Sequence, residues 1–303
     1  MSEPAVRIAK WLWSIAILIA IAVLLWYSRN DIIAMLRQVS LWMLALSFVP
    51  LIAAKFLLGE NARIAARRSG IAIGYVDAAL LYNLSQLGKY LPGSIWQFVG
   101  RAAAYRSRLG ASYGEIRDSL LTESLWVVGA ASLVGAALSG VPLWRFMRDK
   151  APEGLIWWLA GLVALGAGAT IVLFIWRRAW LLRYLRSAIP TPRAMLVQAG
   201  VWFLLGLSFW ILVRACDMQA GLLFSIGLFA GGYALGFLVP FAPAGLGIRD
   251  AVLTVGLLPY APAGEALAVT VIARLVYLVA ELIIVGIQGP LLRPFAKAAA
   301  NDR

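Results

Sequence analysis

The chain has 303 residues, 62% of them hydrophobic and 14% charged, with a mean hydropathy of +0.85. Soluble domains are about half apolar and about a quarter charged, so this composition excludes an ordinary soluble fold and implies several membrane spans. Lys and Arg number 27 against 14 Asp and Glu, a net +13, but the cations cluster between apolar runs, which reads as the inside loops of a membrane protein rather than a nucleic-acid surface.

Cys216 is the sole cysteine, so no intrachain disulfide forms, and the absence of histidine removes the commonest general base and metal ligand. In chain order, residues 8–27 form a first apolar run. It is too long for the core of a signal peptide and has no small-residue cleavage site before Ser28–Asp31, so it reads as a retained span. Residues 41–58 make the second span, and 59–74 a loop with Arg63, Arg67 and Arg68. Residues 75–90 and 94–105 form a broken pair of short apolar arms, followed by Arg106, Arg108 and Arg117. Residues 118–140 make the third full span, 141–154 a mixed-charge loop, and 155–176 the fourth span. Arg177, Arg178, Arg183, Arg186 and Arg193 make the densest basic loop before the fifth span at 194–215. A second broken pair covers 222–239 and 245–258, a sixth full span 265–289, and Arg293, Lys297 and Arg303 close the chain.

The arginine-rich loops at 59–74, 101–117 and 177–193 orient the protein with those loops and both termini in the cytoplasm. Tryptophans at predicted span edges, Trp26, Trp42, Trp144, Trp157 and Trp158 outside and Trp11, Trp13, Trp176 and Trp180 inside, read as aromatic belts. The first broken pair then enters from the cytoplasm and the second from outside. The expected architecture is an all-α polytopic membrane protein: one domain, 1–303, of about six full spans and two broken, re-entrant helical hairpins. Its halves, 8–140 and 155–290, form an inverted-topology repeat.

Pro92-Gly93 interrupts the first pair, with Lys89 and Arg101 on either side; Pro243, Gly245 and Gly247 interrupt the second, with Arg249 and Asp250 as the helix restarts. Proline removes a donor and glycine tolerates the turn, and backbone freed in a bilayer must be satisfied within protein or beside a wet cavity. Each break reads either as the tip of a hairpin at such a cavity or as a plain connecting turn. A cation at mid-membrane costs about 2.5–3.5 kcal/mol on insertion scales, a cost that an anionic partner offsets, so Lys89, Arg101, Arg249, Asp250 and Arg274 are the candidate headgroup-binding residues. The alternative is that Lys89 and Arg101 snorkel to the cytoplasmic face. Glu123 in the third span, and Arg274 and Glu281 in the last, either gate a pathway or form a buried pair, such as Glu123 with Arg274, that only fixes packing. Lys55, Arg214 and Asp217 are expected to be snorkelling or surface groups near span ends. Gly227-x-x-x-Gly231 and Gly232-x-x-x-Gly236 read as helix-packing faces. The glycine-rich run at 243–250 lacks the lysine and hydroxyl of a nucleotide loop. With no nucleophile–base pair and no metal-ligand cluster, no enzyme activity, cofactor or metal is expected.

The stretches GKYLPGSIWQFVGR and FAPAGLGIRDAVL resemble the two signatures of the lysylphosphatidylglycerol synthase transmembrane-region family. Its members are flippase-like membrane domains that occur alone, fused to aminoacyl-phospholipid synthases as in the multiple peptide resistance factor, or in archaeal dolichol-linked glycosylation. The resemblance implies lipid translocation between leaflets, with hairpins from two halves meeting near the midplane. Lys89, Pro92, Gly93, Arg101, Pro243, Gly245, Gly247, Arg249 and Asp250 match the motifs, while Ala244 stands where glycine is common and Asp250 where glutamate is common. The chain ends at Arg303 without the synthase domain, so it is not expected to make aminoacyl lipid itself. The expected function is translocation of an anionic lipid, phospholipid or polyprenyl-phosphate-linked glycan, in a bacterial or archaeal inner membrane. The alternative is a non-catalytic partner that presents lipid to a glycosyltransferase or synthase.

Overall fold

In hydrocarbon each backbone N–H and C=O needs a partner within the protein, and the chain meets that demand with helices; no strand occurs among the described residues. The computed structural model describes Trp26 and residues 29–90, 95–150, 189–237, 245 and 247–288. The spans expected at 8–27 and 155–176, the breaks at Pro92, Gly93 and Pro243, most of the basic loop 177–193 and the closing Arg293, Lys297 and Arg303 lie outside the described residues.

The helices are α1 (Arg29–Gln38), α2 (Leu41–Arg68), α3 (Tyr75–Gln86), α4 (Trp96–Leu109), α5 (Tyr113–Gly135), α6 (Val141–Lys150), α7 (Pro192–Ala215), α8 (Leu222–Phe237), α9 (Ile248–Leu257) and α10 (Ala263–Gln288). A 3-10 turn, Leu87–Tyr90, extends α3, and a π turn, Ala136–Gly140, joins α5 to α6. Among the described residues four helical stretches are long and apolar enough to cross a membrane: α2, the α5–α6 stretch, α7 and α10. Large apolar side chains face outward along them, Leu196 75% and Ile287 70% exposed, as suits a protein whose solvent is lipid. The protein is an all-helical, multi-pass membrane protein.

Helix starts follow local chemistry. The Ser112 hydroxyl accepts from the Glu115 N–H while Glu115 accepts from the Ser112 N–H, a capping box that opens α5. Thr191 caps α7 with Pro192 in its first turn. Gly110, at φ +64°, ends α4.

Several boundaries differ from the sequence expectation: the arginine-rich loop expected at 101–117 is helix except at residues 110–112, because the capping box of Ser112 and Glu115 starts α5 there, and two further loops are helical. The loop expected from Gly59 is helix as far as Arg68, because the Arg63 guanidinium makes two 2.7 Å bonds to Glu60 one turn back and small Ala62, Ala65 and Ala66 pack behind it. The loop expected at 141–154 is helical over Val141–Lys150, since the π turn carries the α5 backbone on without a break.

Helices α2 and α7 run antiparallel at the centre. The Ser40 N–H reaches the Ala215 carbonyl at 3.0 Å, the Ser208 hydroxyl donates to the Ser47 carbonyl at 2.7 Å, and Arg193 meets Glu60 at 2.8 Å. Leu51, Leu58, Val201, Leu205 and Leu212 fill the core between them and their neighbours. The register puts Arg68 against the Ile189 carbonyl at 2.6 Å. Ile71 and Ile73 pack with Ala111 and Ile116 at that same end. The helix ends carrying Arg63–Arg68 of α2, Arg106 and Arg108 of α4, Arg117 of α5 and Arg193 of α7 are thus gathered at one end of the bundle. Ala215, Ala220 and the start of α8 lie at the other, where the Trp210 indole donates to the Ala220 carbonyl at 3.1 Å and Phe224 meets Tyr260 at 5.6 Å.

Candidate functional site

Each broken pair folds back on itself because glycine lets its arms touch. A Cβ at Gly88 would lie 2.7 Å from the backbone of Gln97, so the turn after α3 rests directly on the start of α4. A Cβ at Gly236 would lie 3.3 Å from the Gly245 Cα and 3.1 Å from the Arg249 Cβ, so α8 closes on the start of α9. Gly245 and Gly247 hold φ of +68° and +86°, which glycine adopts without strain. The Gly247 N–H then donates to Asp250 at 3.0 Å, fixing the carboxylate at the first turn of α9.

The open ends of the two hairpins lie at opposite ends of the bundle. The Ile73 carbonyl before α3 takes a 2.9 Å bond from Arg67, and Ala111 after α4 packs on Ile71, both at the arginine-rich end. The α8–α9 pair opens at the Phe224–Tyr260 end. The described arms meet between, where Phe98 of α4 packs edge-on against Phe237 of α8 at 6.5 Å.

Beside that contact is a cavity of about 160 Å³. The first hairpin contributes Gln86, Lys89, Tyr90 and Gln97, the second Tyr233, Gly245, Arg249 and Asp250, and α10 contributes Thr270, Arg274 and Tyr277. Arg274 makes a bidentate bridge to Asp250, Nε to Oδ1 at 3.2 Å and Nη2 to Oδ2 at 3.0 Å. Lys89 pairs with Glu281, which also takes a 2.9 Å hydrogen bond from the Tyr90 hydroxyl. Arg249 has no carboxylate partner among the described residues; its guanidinium lies 4.5 Å from the Phe229 ring centroid and 5.1 Å from that of Tyr277.

Of the sequence candidates, Lys89, Gly245, Arg249, Asp250 and Arg274 line this cavity, and Gly247 positions Asp250. Glu281 stands behind the lining, holding Lys89. Arg101 and Glu123 lie elsewhere, paired at 2.9 Å between α4 and α5 and 1% and 5% exposed at the side chain. The sequence candidate pair Glu123–Arg274 is therefore not formed: each has another partner. Lys55, expected as a snorkelling group, is fully buried on Glu281 and lies 3.9 Å from the Tyr277 centroid. With the span read as ending at 58 it stands near an end; with α2 running to Arg68 it stands at the middle, which is the signal that was available. Tyr90, Tyr277, Gln86 and Thr270 are site residues that no charge or break marks in the sequence.

These features define a class: a helical membrane protein with a cation-lined cavity between two glycine-closed hairpins and α10. Residues 11–285 match the family described as lysylphosphatidylglycerol synthase TM region, and the chain belongs to that family. No curated protein gives a significant match to the chain.

Proposed function

We propose that this protein is a flippase-like carrier that moves an anionic lipid between leaflets of a cell inner membrane, its headgroup passing through the cavity between two re-entrant hairpins. The single observation that carries this reading is Arg249: a guanidinium in the lining shared by both hairpins, with aromatic rings beside it and no carboxylate bridged to it among the described residues, since the neighbouring Asp250 is taken by Arg274. An unpaired cation inside a membrane is costly, and a lipid phosphate is the anion its surroundings supply.

Orientation follows from the arginine-rich end of the bundle, which we place in the cytoplasm together with both termini. The α3–α4 hairpin then opens to the cytoplasm and the α8–α9 hairpin to the outside, the relation expected of two inverted halves that rock about a shared site. Transport rather than bond-making is the proposed role; the sequence has no histidine, and the cavity groups Lys89, Arg274 and Arg249 are arranged to hold an anion.

The test is a leaflet-specific assay in proteoliposomes with head-labelled phospholipid and polyprenyl-phosphate glycan. Wild type accelerates exchange and Arg249→Ala slows it about tenfold or more, the loss expected for one charge-assisted contact. Equal rates for the two proteins exclude the cavity as the route.

A further inference from the structure

Two cations of the cavity are in excess, and they come from different hairpins. The cluster holds four cations, Lys55, Lys89, Arg249 and Arg274, and two carboxylates, Asp250 and Glu281. Asp250 neutralises Arg274, and Glu281 neutralises one of its two lysines. Lys55 and Lys89 share the single Glu281 carboxylate, which leaves one net positive charge on that trio, and Lys89 is its member that lines the open space together with Arg249. Both lie over the same ring, the Lys89 ammonium 4.7 Å and the Arg249 guanidinium 5.1 Å from the Tyr277 centroid. In sequence, residues 91–94, 238–244 and 246, which fall between the described arms, include no ionisable side chain and add no charge.

Two surplus positive charges in one low-dielectric site are unfavourable, and one negative charge compensates only one of them. From this geometry we infer that the cavity selects a phosphate group carrying two negative charges, a lipid phosphomonoester or diphosphate, over the singly charged phosphodiester of common phospholipids. The group bridges Lys89 of the first hairpin and Arg249 of the second, with Gln86, Gln97 and Thr270 offering neutral hydrogen bonds around it. The inference rests on the translocation reading for its site and deepens it by naming the chemistry of the head.

The experiment measures binding of dioctanoyl phosphatidic acid, dioctanoyl phosphatidylglycerol and inorganic phosphate to the purified full chain in neutral detergent. At pH 7.5 the phosphatidic acid binds about tenfold or more tightly than phosphatidylglycerol, the worth of one further charge-assisted contact. Near pH 5 the preference shrinks, because a phosphomonoester regains its second proton with a pKa of about 6. Lys89→Gln and Arg249→Gln each bring the two lipids to equal affinity, and Lys89→Arg keeps the preference. Thermal midpoints without lipid show that these variants are folded; Lys89→Gln leaves Glu281 its Lys55 partner. Equal binding of the two lipids by wild type at pH 7.5 overturns the inference, as does inorganic phosphate competing as well as phosphatidic acid, which makes the occupant a free anion. Phosphatidylglycerol exchange in proteoliposomes without the preference leaves the translocation reading standing and sinks this one. The preference without exchange of either lipid does the reverse.

Discussion

Arg101 of α4 donates to Glu123 of α5 at 2.9 Å, and neither side chain reaches the cavity between the hairpins. The pair ties the returning arm of the first hairpin to the next span. It sits in polar company: Tyr105, one turn beyond Arg101, and Ser119, one turn before Glu123, are also buried. In a family signature such a cation reads as a ligand contact; here it is paired with Glu123 and is absent from the cavity lining.

Breaking this pair from one side leaves a buried charge alone, which costs about 3–5 kcal/mol. Arg101→Leu and Glu123→Leu are each expected to lower the thermal midpoint sharply. The double variant Arg101→Leu/Glu123→Leu regains most of the loss, because no lone charge remains. Thermal unfolding in detergent of all three variants checks this, and a double variant no better than the singles contradicts a role confined to the pair.

Glu281 makes a harsher case, because it serves Lys55 and Lys89 together. Glu281→Gln removes the negative charge that pairs with Lys55 in the core and leaves only a neutral amide and the Tyr277 ring beside it. The expected cost is again about 3–5 kcal/mol. Adding Lys55→Met removes the stranded charge and restores stability, while Lys89→Met in its place does not, since Lys89 reaches the cavity and Lys55 does not. A melting series over the single and double variants separates the two lysines.

The sequence makes some of this visible and hides the rest for physical reasons. Helical spans announce themselves because hydrocarbon demands long apolar runs, and the two breaks announce themselves because proline and glycine stand close together there with charged residues beside them, whereas Pro50 alone leaves α2 unbroken. Hydropathy fails at Gly59, where it takes Arg63–Arg68 as the end of the helix; the Arg63–Glu60 bridge and snorkelling side chains let the helix run on. Partner choice is equally hidden. Glu281 lies 226 residues from Lys55 and 192 from Lys89, so only the tertiary packing of α10 on α2 and the first hairpin decides who meets whom.

Small residues set the other half of the packing. Gly135 of α5 faces α8 so closely that a Cβ would lie 2.6 Å from the Gly231 Cα, a backbone contact with nothing flexible to yield. Gly100 of α4 meets nothing within 4 Å. Gly135→Ala is therefore expected to reduce folded yield and thermal midpoint. Gly100→Ala is expected to be neutral or to stabilise by up to about 1 kcal/mol through helix propensity. Equal melting of the two variants rules out the close α5–α8 approach.

The lone cysteine gives a direct test of sidedness. Cys216 follows the last turn of α7, is 6% exposed, and burial pushes its thiol up to about 12. An ordinary thiol, with a pKa of about 8.5, is largely thiolate by pH 9; Cys216 is not, so the native chain resists maleimide at both pH 7 and pH 9 and labels only after unfolding. The raised value has this sign because burial disfavours the charged thiolate. That quiet background lets two exposed positions report topology, Ser107 at the arginine-rich end and Gln219 at the other. In intact cells an impermeant maleimide labels Gln219→Cys and spares Ser107→Cys, and in inside-out vesicles the order reverses. Labelling of both from one side breaks the opposed placement of the hairpins, and with it the route through the cavity that Lys89 and Arg249 share.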